Sequence, residues 1–209
     1  MADDNILKSD EEKAEELKAW WKANGLSVIS GVALAIAGMF GWQQWQQNKL
    51  DQSEGASKVF SQLSKNSSDS ELLKKMNDEY GSTPYASLAA LNAAKTACET
   101  NEIDDCISQL KIASNSSQSS IASVAKVRLA RTLISNNKLE DASSILSSIT
   151  DTAYSALVAE LTGDLFLAKK DYAKARESYD KALLSSDGEN SQILKMKRDD
   201  LGKSIADGA

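Results

Sequence analysis

AELTGDLFLAKKDYAKARESYDKAL, residues 159–183, is the stretch on which the fold turns. Gly163, Phe166, Tyr172, Ala175, Tyr179 and Ala182 run in the order small, aromatic, aromatic, small, aromatic, small. That order reads as two antiparallel helices in a hairpin. Gly163 and Ala175 are expected to meet where the helices cross, because anything larger there would push the two backbones apart. The aromatic positions are expected to fill the space between this hairpin and its neighbours.

The same frame recurs upstream with weaker residues. In AKVRLARTLISNNKLEDASSILSSI (125–149), Ala130 and Ala142 take the small positions, and Leu133, Leu139 and Leu146 replace the aromatics. Ala142 to Ala175 is a period of 33 residues. In LAALNAAKTACETNEIDDCISQLKIA (88–113), Ala94 and Cys106 are the small pair, with Ile103 and Leu110 as fillers. Cys106 to Ala142 is 36 residues, and the serine-rich stretch 114–120 absorbs the excess. Three hairpins in this register resemble tetratricopeptide repeats, although Ala159 stands in place of the opening Trp and no Pro closes the unit near Asp187.

Two flanks complete a stack. Val59, Phe60 and Leu63, then Leu72, Leu73 and Met76, indicate two helices joined by a polar loop over 64–70, and Pro84 ends that region. At the other end Ile193, Leu194, Leu201 and Ile205 make one apolar stripe among charges. A capping helix needs that pattern, with one face on the last repeat and the other in water.

Between Ala23 and Asn48 there is no charged residue. Its most apolar part, Leu26 to Trp45, rises about 30 Å as a helix, the hydrocarbon thickness of a bilayer. All four tryptophans flank it, Trp20 and Trp21 at one end, Trp42 and Trp45 at the other, as interfacial belts do. A buried core helix would not need such belts. A cleaved signal peptide is the other reading, with Ala35-Ile36-Ala37 as the cleavage site. It is disfavoured by seven acids against four lysines ahead of the span, where a signal peptide is basic. Lys8, Lys13, Lys18 and Lys22 precede the span and only Lys49 and Lys58 follow closely, which places the N-terminus inside. Small residues at Ser27, Gly31 and Ala35, and at Ala33, Ala37 and Gly41, would let a second helix approach within lipid. Ahead of the span, Ser9 or Asp10 could cap a helix carrying Ala14, Leu17 and Trp21 on one face.

Composition narrows function. The 209 residues carry a net charge of −6, 42% hydrophobic and 6% aromatic residues, and one proline, so an alanine- and leucine-packed helical protein is expected. No cluster of Lys and Arg could neutralise a row of phosphates, so nucleic-acid binding is not expected. There is no histidine, no phosphate loop and no nucleophile elbow, so no catalytic, cofactor or metal site is assigned. The two cysteines, Cys98 and Cys106, fall near the end of one helix and the start of the next. Two readings stand: a disulfide in an oxidising compartment, or Cys106 as a small core residue at a close crossing.

The fold expected is all-α: a single N-terminal transmembrane helix, then a tetratricopeptide-like helical-hairpin solenoid with a C-terminal capping helix. The acidic N-terminus, the WW lead-in and the Gly/Ala-rich span ending in GWQQWQQ carry a resemblance over nearly the whole chain. So do PYASLAALNAAK (84–95), VRLARTLISNNKLEDA (127–142), VAELTGDLFLAKKDYAKAR (158–176) and ILKMKRDDL (193–201). Together they resemble the YfgM family, ancillary subunits of the bacterial SecYEG translocon. The resemblance implies a single-pass inner-membrane protein with residues 1–22 cytoplasmic, 23–47 in the membrane and 48–209 periplasmic. It implies as partners the SecYEG translocon, the membrane-anchored peptidyl-prolyl isomerase PpiD and emerging secretory polypeptides, within a chaperone network. No catalytic residue comes with it. Binding is then expected along the first helices of the repeats: Leu88, Leu91 and Lys95, then Val127, Arg131 and Ile134, then Glu160, Asp164 and Leu167. A different class, a membrane-anchored regulator whose acidic N-terminal segment holds a cytoplasmic signalling protein, would be abolished by deleting residues 3–18. A third, a soluble periplasmic accessory, requires cleavage of the span.

Overall fold

The structure is a computed structural model and describes residues 10–185 and 189–202. All regular structure among them is helical. Helix α1 runs Asp10–Leu63 without interruption. The lead-in helix, the apolar span and the helix around Val59 are therefore one element of 54 residues, not three. Nothing in the stretch stops a helix: it contains no proline, and the polarity changes at Lys22 and Lys49 leave the backbone unbroken. Asp10, Glu11 and Glu12 occupy the first turn, where carboxylates favour the positive end of the helix dipole. Ser9 and Ile205 lie outside the described residues.

The chain divides at Asp51 and Gln52 into two compact units. In the first, the apolar side chains are turned outward: Leu26 is 83% exposed and Leu34 74%. Trp42 and Trp45 lie 5.0 Å apart by ring centroid, and the Lys49 ammonium sits 4.1 Å from the centre of the Trp45 ring. Among the described residues, α1 is the one helix long and apolar enough to cross a membrane.

In the second unit, the end of α1 buries Ala56, Val59 and Leu63 with Met76 of α2 (Ser70–Tyr80) and with Ala86 and Ala89 of α3 (Pro84–Glu99). A polar loop joins α1 to α2, and the Asp69 carboxylate caps α2 by accepting from the Leu72 N–H at 3.0 Å. Pro84 opens α3, a position where its missing N–H costs nothing. Then follow α4 (Ile103–Ser114), α5 (Ser119–Ser135), α6 (Leu139–Ser147), α7 (Ser155–Ala168), α8 (Tyr172–Leu184) and α9 (Glu189–Asp199). The pairs α3/α4, α5/α6 and α7/α8 are the three hairpins, and α9 packs on α8 through Leu194, which is buried with Tyr179 and Ala182.

The repeat is written twice in the backbone. The small pairs Ala94/Cys106 and Ala130/Ala142 are buried, as is Ala175. Each hairpin also turns in the same way. Asn101, Asn137 and Lys170 all take the left-handed conformation, with φ of 64°, 56° and 60°. The next residue's N–H closes the turn: Glu102 to the Ala97 carbonyl, Lys138 to that of Leu133 and Asp171 to that of Phe166, at 2.8, 2.9 and 2.9 Å. The turns repeat at the 36- and 33-residue intervals of the small pairs.

Gly163 admits nothing larger, as expected: a Cβ there would overlap the Tyr179 ring. Two expectations are corrected. Tyr172 does not fill a gap but stands 53% exposed at the start of α8. Ile193, 55% exposed, is off the buried stripe of α9 that Leu194 marks.

Candidate functional site

Helices α3, α4 and α5 enclose a cleft of about 380 Å³. Its floor is apolar, from Leu91, Ala94 and Leu110; its rim carries Lys95 and Glu99 from α3, and Arg128 and Arg131 from α5. Leu91 and Leu110 of this floor belong to the core shared by α3, α4 and α5. Of the nine residues expected to line a binding face, Leu91, Lys95 and Arg131 meet here, with Leu91 a core residue at 9% exposure that reaches the floor of the cleft. Leu88, 36% exposed, lies one turn before Leu91 on α3. Val127 is corrected to a core residue at 6% exposure, and Ile134 is half-buried against the same core. Leu167 is exposed on α7.

Glu160 and Asp164 are also on α7, but they do not form an open acidic lining. Lys197 of α9 reaches both, its Nζ 2.8 Å from Glu160 Oε1 and 2.9 Å from Asp164 Oδ1. The Tyr179 hydroxyl donates to Asp164 Oδ1 at 2.7 Å. Burial and the neighbouring Asp164 carboxylate push the Tyr179 phenol far above its ordinary range. Burial pulls the Lys197 ammonium down, but its bonds to Glu160 and Asp164 outweigh that and hold it above the usual lysine value. The capping helix thus engages two of the three α7 residues expected on the binding face, Glu160 and Asp164, and leaves Leu167 exposed. Lys197 carries no sequence signal for this role, since its partners are 37 and 33 residues away.

Cys98 and Cys106 are joined by a disulfide, with Cα atoms 5.1 Å apart, a separation a disulfide spans readily. Cys106 is fully buried on α4, while Cys98 borders the cleft at the end of α3. Arg128 was not singled out from sequence; the signal available was its spacing of three from Arg131 on one helix. A second cleft of about 390 Å³ lies between α2, α3 and α4, lined among others by Lys74, Asp78, Glu102 and Asp105. The Gln109 side-chain oxygen is buried beside it with no hydrogen-bond partner among the described residues. In α1, Ser27, Gly31, Ala35, Ala37 and Gly41 are all exposed, and a Cβ at Gly31 or Gly41 would meet nothing. Among the described residues no group of three His, Cys, Asp or Glu side chains could hold a metal ion.

An outward-facing apolar helix followed by stacked hairpins with a capping helix defines a tetratricopeptide-like repeat protein, a class whose surfaces bind other proteins. The family of the tetratricopeptide repeat-like domain matches residues 18–203. A relative from Haemophilus influenzae, named "Ancillary SecYEG translocon subunit", is 32% identical over 198 residues, covering 92% of this chain and 97% of the relative. Proteins of the same name from Aggregatibacter actinomycetemcomitans and Escherichia coli are 28% and 25% identical. They align with 92% and 86% of this chain, and with 97% and 90% of their own lengths. No solved structure matches the chain significantly. The chain belongs to the tetratricopeptide repeat-like family of ancillary SecYEG translocon subunits.

Proposed function

We propose that the chain is a non-catalytic ancillary subunit of the SecYEG translocon in the bacterial inner membrane. Residues 23–47 cross the bilayer, residues 1–22 are cytoplasmic, and residues 48–209 form a periplasmic binding domain. The observation that carries the reading is the likeness to a named translocon subunit over 92% of this chain and 97% of that relative's length. The chemistry agrees. Apolar side chains as exposed as Leu26 and Leu34 require a lipid or protein environment in place of water. The small-residue face at Ser27, Gly31, Ala35, Ala37 and Gly41 is open for a partner helix within it. In the domain, the α3/α5 cleft supplies a mixed apolar and charged surface suited to an extended segment. Its partners in this role are the translocon, the isomerase PpiD and secretory polypeptides emerging from the channel.

Mild detergent extraction and affinity purification of the tagged full-length chain test this. SecY, SecE and SecG are expected to copurify, and protease added to spheroplasts is expected to digest the repeat domain while sparing the N-terminal segment. Purification without any translocon subunit would contradict the assignment. A domain protected in spheroplasts and digested only after lysis would reverse the topology.

A further inference from the structure

We propose that the cleft between α3, α4 and α5 receives an extended polypeptide segment that sets an apolar side chain next to a carboxylate. Its floor, Leu91, Ala94 and Leu110, is apolar and would desolvate a side chain of that kind. Above it stand three cations, Lys95, Arg128 and Arg131, against one carboxylate, Glu99. This excess of positive charge occurs in a chain whose net charge is −6, so the cleft departs in sign from the protein around it. Such a local field attracts and orients an anionic partner and discourages a cationic one.

The cations are free to serve. Arg128 and Arg131 are exposed, one turn apart on α5, and neither takes part in an ion pair among the described residues. Guanidinium groups so placed match the two oxygens of a carboxylate. Lys95 lies 3.9 Å from Glu99, with both side chains about two thirds exposed (68% and 64%), so water screens the pair and a ligand carboxylate can replace it. The contrast with α7 supports the choice of site, since the charged residues at the corresponding positions there, Glu160 and Asp164, are already engaged by Lys197.

This inference rests on the protein-binding role proposed above only in taking a polypeptide as the occupant. It is tested on the full chain in nanodiscs of phosphatidylcholine, by anisotropy of two fluorescein-labelled dodecapeptides. Both carry the same leucines and serines, one with three aspartates and the other with three lysines at the same positions. The acidic peptide is expected to bind about tenfold or more tightly than the basic one. Arg128→Glu with Arg131→Glu is expected to remove that difference without lowering the melting temperature. Should that variant melt early, Arg128→Gln with Arg131→Gln serves in its place. Equal binding of the two peptides, or wild-type binding of the acidic peptide by the double variant, would overturn the inference. So would arginine-dependent binding to vesicles containing phosphatidylglycerol without any peptide binding, because the occupant would then be a lipid headgroup. Copurification of SecYEG is read separately, so a failed cleft and a failed translocon assignment cannot be confused.

Discussion

In the hairpin α3/α4 the crossing is made by small buried side chains, Ala94 and Cys106, and a disulfide from Cys98 to Cys106 ties the two helices. In α7/α8 the corresponding room is taken by the Tyr179 ring lying over Gly163, and the phenol donates to Asp164, which Lys197 also holds. The backbone turns are alike, with a left-handed residue and the same closing hydrogen bond in each. What differs is the outer face of the first helix. On α3 it is open and borders the cleft; on α7 it is held by the capping helix. A repeat fold therefore fixes its spacing with small residues, and can leave one unit available for binding while sealing another.

The comparison is broken most severely at the aromatic crossing. Gly163→Val should cost about 3 kcal/mol, since the side chain must displace a ring that has nowhere to move. Urea denaturation followed by circular dichroism would measure it. In the first hairpin the corresponding element is covalent. Reduction, or Cys98→Ala with Cys106→Ala, should cost about 2–3 kcal/mol because the crosslink closes a short loop in the unfolded chain. Hydrogen exchange should then show faster opening in α3 and α4 than in α7 and α8.

The polar lock on α7 should matter less. Lys197→Met is expected to lose about 1–2 kcal/mol, the worth of charge-assisted bonds at a partly buried site. Its pH dependence has a definite sign. The folded-state pKa of Lys197 is raised above its unfolded value of 10.5, so the contribution is complete below 10.5 and lost as pH rises through the folded value. The wild-type-minus-variant difference should stay flat from neutral to mildly alkaline pH and shrink only in strong alkali. The smallest effect is a gain. Lys170 occupies the turn position where the other hairpins have asparagine, so Lys170→Asn should stabilise by about 0.5–1 kcal/mol, read as a higher melting temperature.

Much of this was legible in the sequence. The period from Ala94 and Cys106 through Ala130 and Ala142 to Ala175 follows from packing that admits only small side chains, and packing of that kind leaves a regular trace. The apolar span was equally plain, because a bilayer demands length and interfacial aromatics together. The continuity of α1 was not legible. Charges at Lys22 and Lys49 look like element boundaries, yet the helix runs through both without a break. Nor was the closure of α7, since it depends on how α9 is rotated when it packs, and that is fixed by Leu194 at a distance in sequence. Of the residues expected along the binding face, Leu91, Lys95 and Arg131 meet in one cleft, while Val127 went to the core because its side of α5 faces the neighbouring hairpins.

The most direct test of the open and sealed faces is site-specific photocrosslinking in native membranes, with a photoreactive residue introduced singly at Leu91, Arg131, Glu160 or Asp164. The account predicts adducts to translocon subunits, PpiD or secretory polypeptides from Leu91 and Arg131, and none from Glu160 or Asp164 at matched expression. Adducts arising from Glu160 and Asp164 while Leu91 and Arg131 stay silent would contradict it, and would move the binding surface to the face that α9 covers.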